Sequence, residues 1–294
     1  MNSATTEPTV PLLDWTFRAM GTSWRIHHGG GVSGELAQLV ADAVGADERR
    51  WSRFQSQSDV ARISRGAGEP VEVAAETIEL IEAAVAWSQA TSGVFQPLVG
   101  DQLAQWGYRH ELGDASVAPL GAAIPDAAEI VISAANRTVC VPAGSQLDLG
   151  GIGKSWSAVR AGRLLAERVA DQRLIIDAGG DLAIVRGTHA ITTAAGSLPA
   201  AAGEGVATSS SERRSWSVPE AGDAHHLIDP TTGVPGARGT AVVVGHDPVA
   251  ADVLASCLVL RPALLDDLAE PAARIEFDGT VRTNAAWIAR CTTA

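Results

Sequence analysis

Lysine is almost missing from this sequence. Of its 22 lysines and arginines only Lys154 is a lysine, and no basic cluster offsets the formal net charge of −12. A surface of that sign repels polyanions, which excludes nucleic acid as the expected partner. A phosphorylated ligand would need local help from backbone N–H groups, a metal or a few placed cations. Cysteine is scarce too. Cys140, Cys257 and Cys291 lie far apart and form no CxxC pair. That excludes a disulfide framework and a cysteine zinc site, and fits small buried residues of a reducing compartment. No window reaches about 18 uninterrupted apolar residues, so no transmembrane helix is expected. The opening residues MNSATTEPTVPLLDW show no basic region before an apolar run and no cysteine for a lipid anchor. With neither signal peptide nor lipobox in view, the expected location is cytoplasmic.

What is present is the composition of a globular enzyme, 46% hydrophobic and 19% charged over 294 residues, with ample material for a core. Residues 1–16 are expected to be a loose segment and 17–294 a single domain. WTFRAMGTSWRIHH alternates like a strand. Helical periodicity runs through GELAQLVADAVGADERRWSRF, AETIELIEAAVAWSQATSG and SWSAVRAGRLLAERVA. EIVIS and RTVCVP suit a hairpin. RLIIDAGGDLAIV reads as a strand bent at Gly179-Gly180, followed by short strands at GVATSS, HHLID and TAVVVGHD. Asp247 and Pro248 give a well-formed helix start before VAADVLASCLVL. ARIEFDG and TVRTN suit a hairpin through Asp278-Gly279. Helices and hairpins interleave, so the expected class is α+β rather than a regular βαβ array.

Four stretches bear on chemistry. DLGGIGKS, residues 148–155, misses the nucleotide-triphosphate P-loop by one residue: Asp148 stands where that pattern wants its first glycine. Its glycines permit close backbone approach to an anion, and Lys154 adds a movable cation. The same glycines also serve a plain strand-to-helix turn. Asp252 and Ser256 are four apart, so a helix sets carboxylate and hydroxyl side by side. Their neighbours are apolar, and a buried unpaired carboxylate asks for a partner such as Mg²⁺; a helix N-terminus stabilising Asp252 is the alternative. A histidine entering the Asp229-Pro230-Thr231-Thr232-Gly233 turn can serve as a base, or simply hydrogen-bond within its strand. TSGVFQPLVG and MGTSW suit either a flat ligand or the core.

The order of these blocks carries a resemblance. Met20-Gly21-Thr22, SRFQSQSDVARIS, SGVFQPLVG, DLGGIGKSW, DAGGD, ATSS, HLIDPTTG and AADVLAS together resemble the FAD:protein FMN transferases, the ApbE-like flavin transferases. The resemblance runs from about residue 17 to about residue 260. It implies a T-fold-related α+β fold of largely antiparallel sheets with packed helices. It implies an enzyme that binds FAD and Mg²⁺ and moves FMN, through its phosphate, onto a threonine of a target protein, releasing AMP. Some members hydrolyse FAD to FMN and AMP instead, and a non-catalytic FAD-binding protein is a further alternative. A P-loop ATPase is the outlying reading. The implied flavin contacts are Met20, Phe54, Val94, Phe95, Gln96, Asp148, Lys154 and Ile228. The implied metal ligands are the Gly153 carbonyl, Asp252 and Ser256, and the implied base is His226. The acceptor would carry a Ser/Thr-Gly-Ala-Thr-like sequence, on a redox-complex subunit or a reductase. Departures are Gln96 for the family's aspartate, Ser256 for its threonine, Ser210 for the glycine after Thr-Ser, and Thr231 for the common arginine after Asp-Pro. On this resemblance DLGGIGKS is read as a phosphate-binding turn for a dinucleotide.

Overall fold

The computed structural model of the chain describes residues 12–109, 124–170, 173–219 and 222–292. The chain opens with a hairpin of β1 (Leu13–Ala19) and β2 (Thr22–His28). Alternation alone reads this stretch as one strand. The structure breaks it at Met20 and Gly21, which both take left-handed backbone conformations with φ of 50° and 69°. Two consecutive positive φ values make the tight turn whose twist suits paired strands. Pairing starts at Leu13, so the last residues of the segment expected to be loose belong to the sheet; residues 1–11 lie outside the described residues.

Next come α1 (Gly34–Trp51), α2 (Asp59–Arg65), β3 (Val71–Glu72), α3 (Ala75–Ala90) and α4 (Gly100–Gln105). Ser33 and Ser58 cap α1 and α2, their hydroxyls accepting from the N–H groups of Leu36 and Ala61. The expected hairpin is β4 (Val131–Ser133) with β5 (Thr138–Cys140), extended by β3 into a three-stranded sheet. α5 (Gly153–Ala166) follows directly from the glycine-rich turn.

The segment expected to be one bent strand is a second hairpin, β6 (Leu174–Ala178) and β7 (Leu182–Arg186). Gly179 and Gly180 have φ of 80° and 102° and reverse the chain rather than bend it. A Cβ on Gly179 would also sit 2.2 Å from the Thr22 hydroxyl, so glycine is required there on both counts. The rest comprises β8 (Thr188–Thr193), β9 (Gly196–Ala201), β10 (Gly205–Ser210), β11 (Ser215–Val218), β12 (Gly222–His225), β13 (Ile228–Asp229) and β14 (Val234–Pro235). It closes with β15 (Thr240–Gly245), α6 (Pro248–Leu260), β16 (Ala272–Ile275), β17 (Val281–Thr283) and α7 (Ala285–Thr292).

Eight strands form the main sheet in the order β1-β2-β6-β7-β10-β15-β16-β17, and every ladder in it is antiparallel. The class is α+β, as expected. No helix among the described residues is long and apolar enough to cross a membrane.

Helix α6 organises the core. Asp247 caps it by accepting from Ala250 N at 2.8 Å, and Pro248 fills the first turn where no N–H is needed. Ala251, Ala255, Leu258 and Val259 pack on Ala207, Ala241 and Val243 of the sheet. Val249, Val253 and Cys257 pack on the other side with Ile81, Leu98 and Ile152. A helix apolar all round is a buried helix. Asp252 therefore rides into the interior on it, and something must offset that cost.

Candidate functional site

A cavity of about 800 Å³ opens where the β1–β2 turn, the glycine-rich turn, the β6–β7 turn, the β12–β13 segment and α6 converge. All the residues singled out from the sequence line it: Met20, Phe54, Val94, Phe95, Gln96, Asp148, Gly153, Lys154, His226, Ile228, Asp252 and Ser256.

One wall is aromatic. Phe54 and Tyr108 meet edge to face with centroids 5.5 Å apart, and Tyr108 leans on Trp216 at 5.7 Å. The Arg53 guanidinium carbon lies 4.3 Å from the Phe54 centroid and 4.9 Å from that of Tyr108, a cation over two ring faces. Arg53 also donates to the Tyr108 carbonyl and pairs through Nε with Asp148 Oδ2 at 2.6 Å. That Nε has no well-aligned hydrogen bond, so the contact with Asp148 is an ion pair rather than a directed bond. Met20 reaches the cavity because its strained turn conformation carries it off the strand. Phe95 packs over Gly151, where an added Cβ would come within 3.3 Å of the ring. Gln96 turns its Oε1 back to accept from Leu98 N at 3.3 Å.

Asp148 has work within the protein. Its Oδ1 accepts from Gly150 N at 2.7 Å, folding the loop on itself, while Oδ2 faces Arg53. Lys154 does not reach back over the loop as a P-loop lysine would. Its Nζ donates to Asp181 Oδ2 at 2.7 Å and lies 3.9 Å from Asp252 Oδ2. Burial alone would lower the Lys154 pKa, but Asp181 and Asp252 outweigh it and raise the value above the ordinary lysine range. Asp181 was not singled out from the sequence. It stands just past the Gly179-Gly180 turn, and its Oδ1 accepts from Thr208 N at 3.4 Å.

Asp252 is pushed up to about 7 by burial, against the pull of Lys154 and with the push of Asp181. Its Oδ2 is shielded from solvent and has no hydrogen-bond partner among the described residues. Ser256 lies one turn on, its hydroxyl 3.1 Å from that of Ser209, and Gly153 lines the same region through the uncapped start of α5. An unbonded carboxylate oxygen and a hydroxyl one turn apart are oxygen donors, the ligand type that suits a hard cation such as Mg²⁺. Among the described residues no group of three or more His, Cys, Asp or Glu is placed to hold a metal ion.

The two histidines before the Asp-Pro turn part company. His225 is spent on structure: Leu227 N donates to its Nδ1 at 3.3 Å and its Nε2 meets the Gly236 carbonyl at 3.1 Å. His226 lines the cavity, with a buried Nδ1 that lacks a partner among the described residues. Burial, then Arg214 and His225, push its pKa down to about 3. The imidazole is thus neutral at physiological pH, able to accept a proton but only as a weak base. The turn beyond it is clamped to the end of α6, because Arg261 grips Asp229 bidentately at 2.8 and 2.9 Å and donates to the Thr231 hydroxyl at 3.1 Å. That grip fixes the His226 segment relative to Asp252. It also sets a guanidinium beside Thr231.

The ApbE family model matches residues 20–276 of the chain. No curated protein matches it in sequence. Among solved structures, the ApbE protein of Thermotoga maritima is 25% identical with a TM-score of 0.82, covering 95% of this chain and 99% of that one. The flavinyl transferase ApbE of Pseudomonas stutzeri, in its apo form, shares the fold at a TM-score of 0.79 and 20% identity, covering 95% and 97%. The flavin transferase ApbE of Vibrio cholerae shares it at 0.76 and 19%, covering 95% and 99%.

Proposed function

This chain belongs to the ApbE family, and from that premise we propose that it is a Mg²⁺-dependent FAD:protein FMN transferase. The observation that carries the reading is a juxtaposition in one cavity: the buried Asp252 carboxylate with one oxygen free of hydrogen bonds, the neutral His226 and the aromatic wall of Phe54 and Tyr108. A flat apolar ring, a charged pyrophosphate and a hydroxyl awaiting deprotonation each find a matching surface there.

The aromatic wall with Met20, Val94, Phe95 and Ile228 takes the isoalloxazine, which fixes the phosphate relative to the attacking group. Gln96 keeps its amide N–H donors for the ligand, since its oxygen is committed to Leu98 N. Asp252, Ser256 and the Gly153 carbonyl would hold Mg²⁺, which supplies charge neutralisation on the pyrophosphate. Lys154, itself fixed by Asp181, sets its charge beside the Asp252 carboxylate. His226 accepts the proton of the incoming threonine hydroxyl, and AMP leaves. The acceptor belongs to the class of redox proteins bearing a Ser/Thr-Gly-Ala-Thr-like sequence.

The test is direct. The purified chain is incubated with FAD and Mg²⁺, with and without a peptide of that sequence, and peptide mass and AMP are measured; Asp252→Ala is run in parallel. A peptide heavier by one FMN, with matching AMP and loss of both in the variant, is the expected result. Free FMN with an unmodified peptide would make the enzyme a hydrolase. Intact FAD despite tight binding would make it a flavin-binding protein.

A further inference from the structure

Four cations line the cavity: Arg53, Lys154, Arg213 and Arg214. Three have fixed employment. Arg53 pairs with Asp148, Lys154 with Asp181, and Arg213 donates to the Gly179 carbonyl at 3.0 Å. Among the described residues the half-buried Arg214 guanidinium makes no hydrogen bond or close ion pair, although it lines the cavity and its charge acts on both His226 and Asp252.

Its position is set by the strand register. In the β11–β12 ladder Ser215 opposes His225, so the next pair outward is Arg214 and His226, joined by His226 N donating to Arg214 O at 3.2 Å. Directly opposed residues on antiparallel strands put their side chains on the same face. That face is the one carrying Trp216 and Ala224 inward, two residues along each strand. Arg214 is thus held beside His226 by the backbone itself, and no side-chain contact is needed to keep it there.

We propose that Arg214 is a further catalytic residue, whose guanidinium holds the phosphoryl group of the flavin dinucleotide while the acceptor attacks. This rests on the transferase reading above and adds a named residue to it. A guanidinium offers paired N–H donors in a planar fork, which matches two oxygens of one phosphate. The bond formed joins the acceptor oxygen to the phosphorus on the FMN side; the bond broken joins that phosphorus to the bridging oxygen. The bridging oxygen leaves with its electron pair on AMP, and the hydroxyl proton passes to His226. Nothing is oxidised or reduced. With Arg214 on the phosphate and the imidazole next to it on the same face, base and electrophile are set side by side. The same neighbour's charge helps keep the imidazole unprotonated.

Binding and turnover together test this. Flavin fluorescence is titrated with the full chain, using FAD, FMN and riboflavin, with and without Mg²⁺, for the wild type, Arg214→Gln and Arg214→Lys. The expected result for Arg214→Gln is a loss of affinity for FAD and FMN of about tenfold or more. Riboflavin, which has no phosphate, binds as before and reports that the variant is folded. Arg214→Lys recovers part of the loss, and transfer to the peptide falls in the same order. Equal weakening of all three flavins, or unchanged FAD affinity and turnover, would overturn the proposal while leaving the transferase reading intact. A wild-type chain that binds none of the three overturns both.

Discussion

The ammonium of Lys154 lies 2.7 Å from Asp181 Oδ2, and this pair, not the glycine-rich loop, is where the chain's only lysine is spent. The two come from elements that a P-loop never joins: the first turn of α5 and the reversal between β6 and β7. Removing one partner leaves the other charge buried without compensation. Lys154→Met should therefore cost about 3–5 kcal/mol of stability in urea unfolding. Adding Asp181→Asn should return much of it, because the stranded carboxylate is then gone. A single variant that costs under about 1 kcal/mol would mean that water already screens the pair.

Asp252 makes the opposite prediction. Its folded pKa is raised to about 7 from an ordinary 3.8, so the folded state holds its proton more tightly than the unfolded chain. The contribution to stability is full below the unfolded value and is lost as pH rises between the two. Metal-free Asp252→Asn should thus gain thermal stability over the metal-free wild type at pH 8, with the gap shrinking toward pH 5. Mg²⁺ should raise the melting temperature of the wild type and leave the variant where it was. A gap that does not change with pH would contradict the burial argument.

His226 bears on rate rather than stability. A base acts only above its own pKa, and this one is depressed to about 3 by burial and by Arg214. The kcat/KM profile for FMN transfer should show no acid limb near the ordinary histidine value of about 6.5. His226→Ala should lower kcat by about 10²–10⁴-fold with FAD affinity retained. In Arg214→Gln the acid limb should move upward in pH, since the largest of the charge effects that hold the proton off is gone.

The sequence was most legible where a single local rule decides the outcome. Asp247 and Pro248 start α6 as their types demand, and the β16–β17 hairpin turns at Asp278-Gly279. It was least legible where turn chemistry hid inside a regular pattern. Met20-Gly21 sits inside an alternating stretch and Gly179-Gly180 inside what reads as one bent strand, and only the backbone conformation shows that each pair ends one strand and starts another. The site followed the same division. Asp252 and Ser256 fall on one helical face and can be found by spacing. Asp181 and Arg214 reach the cavity only through a hairpin reversal and a ladder register, and neither leaves a periodic trace. Of the two histidines, spacing cannot choose; the hydrogen bonds that occupy both nitrogens of His225 do.

Arg53 supplies the control that separates ring recognition from phosphate recognition. It lies over Phe54 and Tyr108 and holds the Asp148 carboxylate at 2.6 Å, so it fixes the aromatic wall and the glycine-rich loop against each other. Its positive charge is already matched by Asp148 and has little left for a ligand. Arg53→Gln should therefore weaken FAD and riboflavin by similar factors, about tenfold, because the surface lost is the one that meets the flavin ring. Arg214→Gln should weaken FAD and spare riboflavin. Titrating both variants with both ligands places each arginine at one end of the dinucleotide. If Arg53→Gln spared riboflavin while weakening FAD, the aromatic wall would be meeting the adenine end, and the orientation of the whole ligand would reverse.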